Sequence, residues 1–180
     1  LEMARTFGNR FNRLYNQEYF PEPYAFSYTE KLVKVPGLDG KGKMGKSEGD
    51  ANCIYLSDTP EAIRKKVSRA VTDSGPSEEN QEKPEAIQNL FDLMKIVSPA
   101  DTLNHFDELY NKMAIRYGDF KKQLAEDMII ATDPVRERIN DIANDNDYLK
   151  KVTRLGAEKA RESAQKTIKE VRELIGFKSF

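Results

Sequence analysis

Apolar residues recur three and four positions apart along most of the chain, a spacing that predicts helices. The first stripe runs from Leu1 to Tyr15 and predicts one amphipathic helix over the first ~16 residues. From Asp58 onward the pattern is almost wholly helical, and Thr59 is predicted to cap a helix whose first residue is Pro60. The exception is an alternating run at residues 31–35, which predicts a short strand.

Proline and glycine divide the helical region into predicted segments. A helix is expected to open at Pro84 and end before Pro99, and a further stripe follows at residues 103–113. Residues 117–119 are predicted to form a turn.

The longest predicted helix covers residues 119–143, where apolar residues continue one stripe as far as Ile142. Pro134 is expected to kink or split it. Another helix is predicted from residues 145–147, with a break near Gly156 and a last helix ending at Gly176. The fold class is therefore predicted to be mainly α, a helical bundle attached to a portion of α/β structure.

Residues 40–47, Gly-Lys-Gly-Lys-Met-Gly-Lys-Ser, fit two different kinds of phosphate-binding loop. Read from Gly40, they match the P-loop pattern, in which backbone N–H groups surround a phosphate. Read from Lys43, they form a mobile basic loop of another nucleotide-binding class. A P-loop must lead directly into a helix, because its phosphate lies at the helix N-terminus. Ser47 is instead followed by loop-forming residues 48–52 and a four-residue apolar run, which favours the second interpretation.

Composition excludes several classes of function. The 180 residues are 38% hydrophobic with a formal net charge of −1, as in an ordinary soluble protein. The one cysteine, Cys53, and the one histidine, His105, exclude an internal disulfide, a cysteine-rich zinc site and a histidine pair. Cys53 is expected to be buried and His105 to lie at the surface. No apolar stretch approaches the ~20 residues of a membrane span, and a reducing, cytoplasmic setting is expected.

Charge is uneven along the predicted bundle. Acidic residues predominate from residue 101 to 147, and basic residues predominate from 148 to 180. A basic final stretch suits a phosphate backbone, although a solvated helix face explains the same pattern. We also expect that the chain is part of a longer protein, because its helical pattern begins without a capping residue.

Several motifs carry a resemblance to a known family. Lys43-Met44-Gly45-Lys46-Ser47 matches a Lys-Met-Ser-Lys-Ser signature, with glycine in place of the first serine. The motifs that accompany it in family order are Leu1-Glu2 with Arg5, Arg10-Phe11-Asn12, Arg64-Lys65-Lys66, Arg69-Ala70-Val71-Thr72-Asp73-Ser74, Asn89-Leu90-Phe91-Asp92, Tyr117-Gly118-Asp119-Phe120-Lys121, and Gly156-Ala157-Glu158-Lys159-Ala160-Arg161 leading to Ile175-Gly176-Phe177. On these residues the whole chain resembles the C-terminal half of the tryptophanyl-tRNA synthetases, which are class I aminoacyl-tRNA synthetases.

The resemblance implies an organisation and a reaction. Residues 1–57 would be the last part of a Rossmann-like catalytic domain, and residues 58–180 an α-helical anticodon-binding domain. The full-length enzyme would use ATP, with Mg²⁺, to convert tryptophan to its adenylate and then charge tRNA(Trp). It would be a homodimer, built largely by residues outside this chain, whereas the chain alone is expected to be monomeric, inactive and not bound to membranes.

Site residues follow from the same resemblance. Lys46, assisted by Lys43, is expected to stabilise the departing pyrophosphate, and Met44, Gly45 and Ser47 complete the ATP-binding signature. Leu32 and Val33 are expected to meet the adenine ring. The residues proposed for tRNA are all basic: Lys112, Arg116, Lys121, Lys150, Lys151 and Arg154.

Three alternatives remain at this point. Gly45 by itself is typical of the related tyrosyl enzymes, while Met44 and the Ala70 to Asp73 motif favour tryptophan. A non-catalytic helical RNA-binding module would share the bundle but has no reason to carry the glycine and lysine loop. A P-loop nucleoside triphosphatase comes third.

Overall fold

The computed structural model describes residues 1–26 and 34–177. The predicted strand and the two expected adenine contacts, Leu32 and Val33, fall in part or whole on residues 27–33, outside the described residues. The described chain contains six α-helices: α1 Glu2–Tyr15, α2 Pro60–Ser68, α3 Glu85–Val97, α4 Ala100–Asn111, α5 Tyr117–Asn144 and α6 Asn146–Leu174. Two 3₁₀ turns, Lys46–Glu48 and Asp50–Asn52, lie between α1 and α2. The mainly helical fold class is confirmed.

Contacts divide the chain into two compact units. The first consists of Leu1–Leu32 with Asp145–Phe180, and the second of Val33–Asn144. This division cuts the chain at other places than the predicted boundary at residue 58, and the assignment of residues 1–57 and 58–180 to two domains stays a prediction.

The second unit holds a dense apolar core. Its fully buried members come from α2, α3, α4 and α5, and the largest are Tyr110, Phe120, Ile63, Ile87, Leu90, Met94, Leu124 and Val67. The ring of Phe91 lies 4.8 Å from that of Phe120 and 6.0 Å from that of Tyr110, centroid to centroid. Offset and edge-on aromatic pairs of this kind add stability beyond the area they bury. This core fixes α2, which borders the predicted phosphate loop.

In the first unit, α1 and α6 form an open apolar groove of about 610 Å³. Phe7, Phe11 and Leu14 of α1 line one side, and Val171 and Ile175 line the other. The hydroxyl of Tyr19 donates a hydrogen bond of 2.7 Å to a Glu170 carboxylate oxygen, which joins the segment after α1 to α6. None of the residues of α1 or α6 is buried, so this unit is held mainly by partly exposed contacts.

Two predicted helix starts, those of α2 and α6, are confirmed. The Thr59 hydroxyl accepts the Ala62 N–H at 3.2 Å at the start of α2. The Asp145 carboxylate accepts the Tyr148 N–H at 2.9 Å at the start of α6. Side-chain caps of this type satisfy N–H groups that have no partner within the helix.

Two predicted interruptions, at residues 117–119 and near Gly156, are wrong. Residues 117–119 are the first turn of α5, because the Arg116 carbonyl already accepts the Phe120 N–H. Helix α5 is not split at Pro134, and the alternative of a kink there stays a prediction. Helix α6 continues through Gly156. A glycine costs a helix only about 1 kcal/mol relative to alanine, which the many helix-forming neighbours of Gly156 offset.

The long stripe predicted on α5 is buried only in its first half. Phe120, Leu124 and Met128 are in the core, but Val135 and Ile139 are 41% and 36% exposed. No described helix is long and apolar enough to cross a membrane.

Candidate phosphate-binding loop

The loop that carries the signature is closed at its base by backbone bonds. Pro36 and Lys43 form an isolated antiparallel bridge, and the Met44 N–H donates to the Val35 carbonyl at 2.8 Å. The thioether sulfur of Met44 lies 3.3 Å from the Ile54 backbone nitrogen on the returning side of the loop. Met44 therefore ties the start of the signature to both of its flanks.

A second anchor holds the turn that precedes the signature. Leu38 is 3% exposed, donates its N–H to the Asn52 carbonyl at 3.3 Å and accepts the Val71 N–H at 3.1 Å. The buried Asn52 side chain accepts the Asp39 N–H at 2.8 Å. These bonds connect the loop to the end of α2 and so to the core.

Gly40 is required by the backbone at this turn. Its φ of +77° is strained for residues with a side chain, and an added Cβ would lie 2.7 Å from the Cβ of Ala86. Gly45 differs, because its φ of −157° is extended backbone that any residue adopts. The glycine that replaces the signature serine is therefore not demanded by the fold.

The signature itself is displayed at the surface. Lys43, Lys46 and Ser47 are exposed, while Met44 and Gly45 are half-buried. Lys46 begins the first 3₁₀ turn, and its ammonium lies 5.9 Å from the centre of the Tyr55 ring. Within the described part of the chain, neither Lys43 nor Lys46 has a carboxylate within ion-pair distance. Both ammonium groups are thus available to an anion.

The structure argues against a P-loop. Ser47 lies within the 3₁₀ turn Lys46–Glu48, the turn Asp50–Asn52 follows, and the next α-helix begins only at Pro60. The Ser47 hydroxyl lies 3.4 Å from a carboxylate oxygen of Glu48. Since no α-helix N-terminus stands next to Ser47, the phosphate cradle of a P-loop is not formed.

Lys66 of α2 belongs to a sequence motif, Arg64-Lys65-Lys66, but sequence reasoning assigned it no role in this site. Only 10% of its side chain is exposed. Its ammonium donates to Asp58 Oδ2 at 2.8 Å, the Cys53 carbonyl at 3.0 Å and Asp50 Oδ1 at 3.2 Å. Burial opposes the charge, but the bonds to Asp58 and Asp50 outweigh it and raise the pKa of Lys66.

The residues predicted to bind RNA lie on several elements. Lys112 is exposed at the end of α4 and pairs with Glu108 at 3.1 Å, and Arg116 is exposed just before α5. Lys150, Lys151 and Arg154 are exposed on the first turns of α6, where Arg154 lies 3.8 Å from Glu158.

Lys121 has a different environment from the others. Its ammonium donates to the Ala70 carbonyl at 2.7 Å and to the Thr72 hydroxyl at 3.0 Å. Burial lowers the pKa of Lys121, and its two described acceptors are neutral. These bonds join α5 to the segment that follows α2. A role in RNA binding stays a prediction for all six basic residues.

Cys53 and His105 both have the exposure expected from the sequence. Cys53 is 8% exposed and has no disulfide partner in the described part of the chain. His105 is exposed on α4, with its ring 5.3 Å from that of Phe106.

Comparisons with known proteins identify relatives over the whole chain. The family model for class I tRNA synthetases (W and Y) matches residues 1–132. A tryptophan–tRNA ligase of Porphyromonas gingivalis is 55% identical over 178 residues, which are 99% of this chain and 54% of that protein. A tryptophan–tRNA ligase of Helicobacter pylori is 39% identical over 179 residues, 98% of this chain and 52% of that protein. The chain thus spans about half the length of the curated relatives it matches.

A solved structure agrees with these sequence relatives. The tryptophanyl-tRNA synthetase of Campylobacter jejuni, complexed with ADP and tryptophan, superposes with a TM-score of 0.75 at 30% identity. The match covers 97% of this chain and 53% of that one.

Proposed function

Because this chain belongs to the class I tRNA synthetases for tryptophan and tyrosine, we propose that it is the C-terminal half of a tryptophan–tRNA ligase. The observation that carries the proposal is the loop of residues 43–47, where two exposed lysines without described carboxylate partners follow a constrained glycine turn. The 55% identity to a tryptophan–tRNA ligase supports tryptophan over tyrosine.

In the proposed reaction the tryptophan carboxylate attacks the α-phosphorus of ATP. The bond from the α-phosphorus to the oxygen that bridges to the β-phosphate breaks, giving tryptophanyl adenylate and pyrophosphate. A ribose hydroxyl at the 3′ end of tRNA(Trp) then attacks the acyl carbon, forming an ester and releasing AMP. Negative charge grows on the departing pyrophosphate, so a cation placed there stabilises the transition state more than the ground state.

We assign this role to Lys46, with Lys43 assisting. Both lie on the segment that follows Gly40 and Gly42, whose positive φ values of 77° and 57° form the turn before the signature. Mg²⁺ would arrive with the ATP phosphates and offset part of their charge. The Ser47 hydroxyl can donate a hydrogen bond to the same oxygens, and Leu32 and Val33 remain the proposed neighbours of the adenine.

The helical region is proposed to bind the anticodon arm of tRNA(Trp). Basic side chains contact RNA phosphates, while the base sequence is read on unstacked bases. The exposed positions are Lys112, Arg116, Lys150, Lys151 and Arg154, and Lys121 is the half-buried member of the proposed set.

We further propose a cytoplasmic homodimer for the full-length enzyme and a monomer for this chain alone.

Amino-acid-dependent exchange of pyrophosphate into ATP by the full-length protein tests this function. Exchange that needs tryptophan, and is at least tenfold slower with tyrosine, is expected. Exchange that needs tyrosine would support the tyrosyl alternative. No exchange with either amino acid would support the non-catalytic RNA-binding alternative and contradict the proposal.

A further inference from the structure

The loop bearing Lys46 returns to the helical core through residues 50–58, and one side chain contacts that return segment at three places. The Lys66 ammonium bonds Asp50 at the start of the second 3₁₀ turn, the Cys53 carbonyl in the middle of the segment and Asp58 shortly before α2. An ammonium has three donors, and these three acceptors use all of them. Lys66 therefore fixes the course of the segment and has no donor left for a phosphate.

Tyr55 connects Lys66 to the signature. Its ring centre lies 4.6 Å from the Lys66 ammonium and 5.9 Å from the Lys46 ammonium. The Tyr55 N–H donates to Asp58 Oδ2 at 3.0 Å, the same oxygen that accepts from Lys66. The backbone of Tyr55 is thus set by the Lys66–Asp58 pair, and its ring contacts both ammonium groups.

The exposure of its partners shows that Lys66 holds one end of the segment 50–58 more strongly than the other. Asp58 is 14% exposed and Lys66 10%, so their ion pair is shielded from water. Asp50 is 75% exposed, and its bond to Lys66 is correspondingly weaker. The segment is held firmly where it joins α2 and loosely next to the 3₁₀ turn that carries Lys46. Such an arrangement lets the turn move while its base stays in place.

We propose that Lys66 is a positioning residue for Lys46: by fixing residues 50–58 and Tyr55, it sets where the Lys46 ammonium meets the departing pyrophosphate. This inference rests on the proposed function. It adds to that function a residue, Lys66, that sets the geometry of the loop. A misplacement of about 1 Å at a reacting group can reduce a rate 10²-fold. A substitution of Lys66 is therefore expected to slow adenylate formation by displacing the Lys46 ammonium.

The test is a double-mutant cycle on the full-length enzyme, with Lys66→Met, Lys46→Ala and the double variant, measured by tryptophan-dependent pyrophosphate exchange. Lys66→Met alone is expected to lower kcat by about 10- to 100-fold with little change in KM for tryptophan. In the double variant it is expected to cause no further loss beyond Lys46→Ala, because it acts through that residue. Lys65→Met is the matched control, since it removes an exposed lysine from the same turn of α2 and should leave exchange unchanged.

Each outcome separates the inference from the proposed function. Additive losses in the double variant, or unchanged exchange with Lys66→Met, would overturn the positioning role. Unchanged exchange with Lys46→Ala, or no exchange in the parent enzyme, would overturn the assignment of Lys46 and the positioning role with it. If Lys66→Met does not fold, Asp58→Asn replaces it in the cycle, because it removes the charge of the shielded partner of the same ammonium and keeps an oxygen that can accept the Tyr55 N–H. Amide hydrogen exchange adds a readout other than activity. The amide hydrogens of residues 48–53 should exchange with solvent faster in either variant, and an unchanged amide exchange rate would contradict the inference.

Discussion

Four lysines in the described part of this chain occupy two kinds of environment, two of them open to solvent and two enclosed. Lys43 and Lys46 are exposed, as expected for residues that bind a mobile anion. Lys66 and Lys121 are enclosed by residues 50–58 and by the segment that follows α2, respectively. Helical periodicity places a side chain on a face of its own helix, but a loop that folds over that face is set by tertiary contacts. The signature lysines could therefore be predicted from sequence, whereas the anchor at Lys66 could not.

A side chain at position 40 should destabilise the fold, because the backbone conformation of Gly40 and its closeness to Ala86 both oppose one. We expect Gly40→Ala to lower the free energy of unfolding by about 1–3 kcal/mol. Denaturant unfolding of the chain measures this change. Gly45→Ala is the matched control, since its φ is extended and the new Cβ would lie 3.7 Å from Ser47 Oγ. Equal losses in the two variants would contradict the structure of this turn.

The environment of Tyr117 predicts how the free energy of unfolding changes at alkaline pH. Burial, followed by the 2.8 Å bond from its hydroxyl to Asp73, raises the pKa of Tyr117 above the ordinary value of 10.0. The folded state holds the phenol proton more tightly than the unfolded chain does. The stabilisation is therefore fully present below about pH 10 and is lost as the pH rises toward the folded pKa.

We expect Tyr117→Phe to cost about 0.5–1.5 kcal/mol at neutral pH and to make the alkaline fall in the free energy of unfolding shallower. Urea unfolding from neutral pH to about pH 11 measures both effects. Tyr24→Phe is the control, because that side chain is 77% exposed. A fall of the same steepness in the parent chain and Tyr117→Phe would exclude this role for Tyr117.

At the scale of whole elements, helix starts were easier to predict than helix interruptions. Thr59, Pro60 and Asp145 mark starts through local hydrogen bonds and a fixed φ, which depend on neighbouring residues only. Pro134 and Gly156 were expected to interrupt helices, yet α5 and α6 pass through both. Their local cost is a few kcal/mol at most, so the rest of a helix with many good formers can outweigh it.

Helix α6 should be stabilised by replacing the glycine in its interior. Gly156 is exposed in its middle, and an added Cβ would meet no described atom within 4 Å. Gly156→Ala should therefore raise the free energy of unfolding by about 0.5–1 kcal/mol, because alanine loses less backbone freedom on folding. Denaturant unfolding checks the change. Gly42→Ala adds the same methyl into open space at a φ of +57° and should destabilise, so a gain in both variants would contradict the backbone argument.

For the whole molecule, the mainly helical character followed from hydrophobic periodicity, and the family from motifs spread over the full chain. The division into units did not follow, because it pairs Leu1–Leu32 with Asp145–Phe180 across more than a hundred intervening residues. Sequence periodicity is local and carries no information about such long-range pairing. The apolar groove between α1 and α6 arises from that pairing and was not predicted for the same reason.

The proposed function requires that the exposed loop at residues 43–47 acts on ATP in the full-length tryptophan–tRNA ligase. Its most direct test is tryptophan-dependent pyrophosphate exchange by the full-length enzyme carrying Lys46→Ala, beside Lys41→Ala as a control from the same loop. Losing one transition-state donor typically costs about 10²- to 10³-fold in kcat, so we expect such a loss for Lys46→Ala, with unfolding unchanged and with full activity in Lys41→Ala. Unchanged exchange in Lys46→Ala, or an equal loss in both variants, would contradict the account.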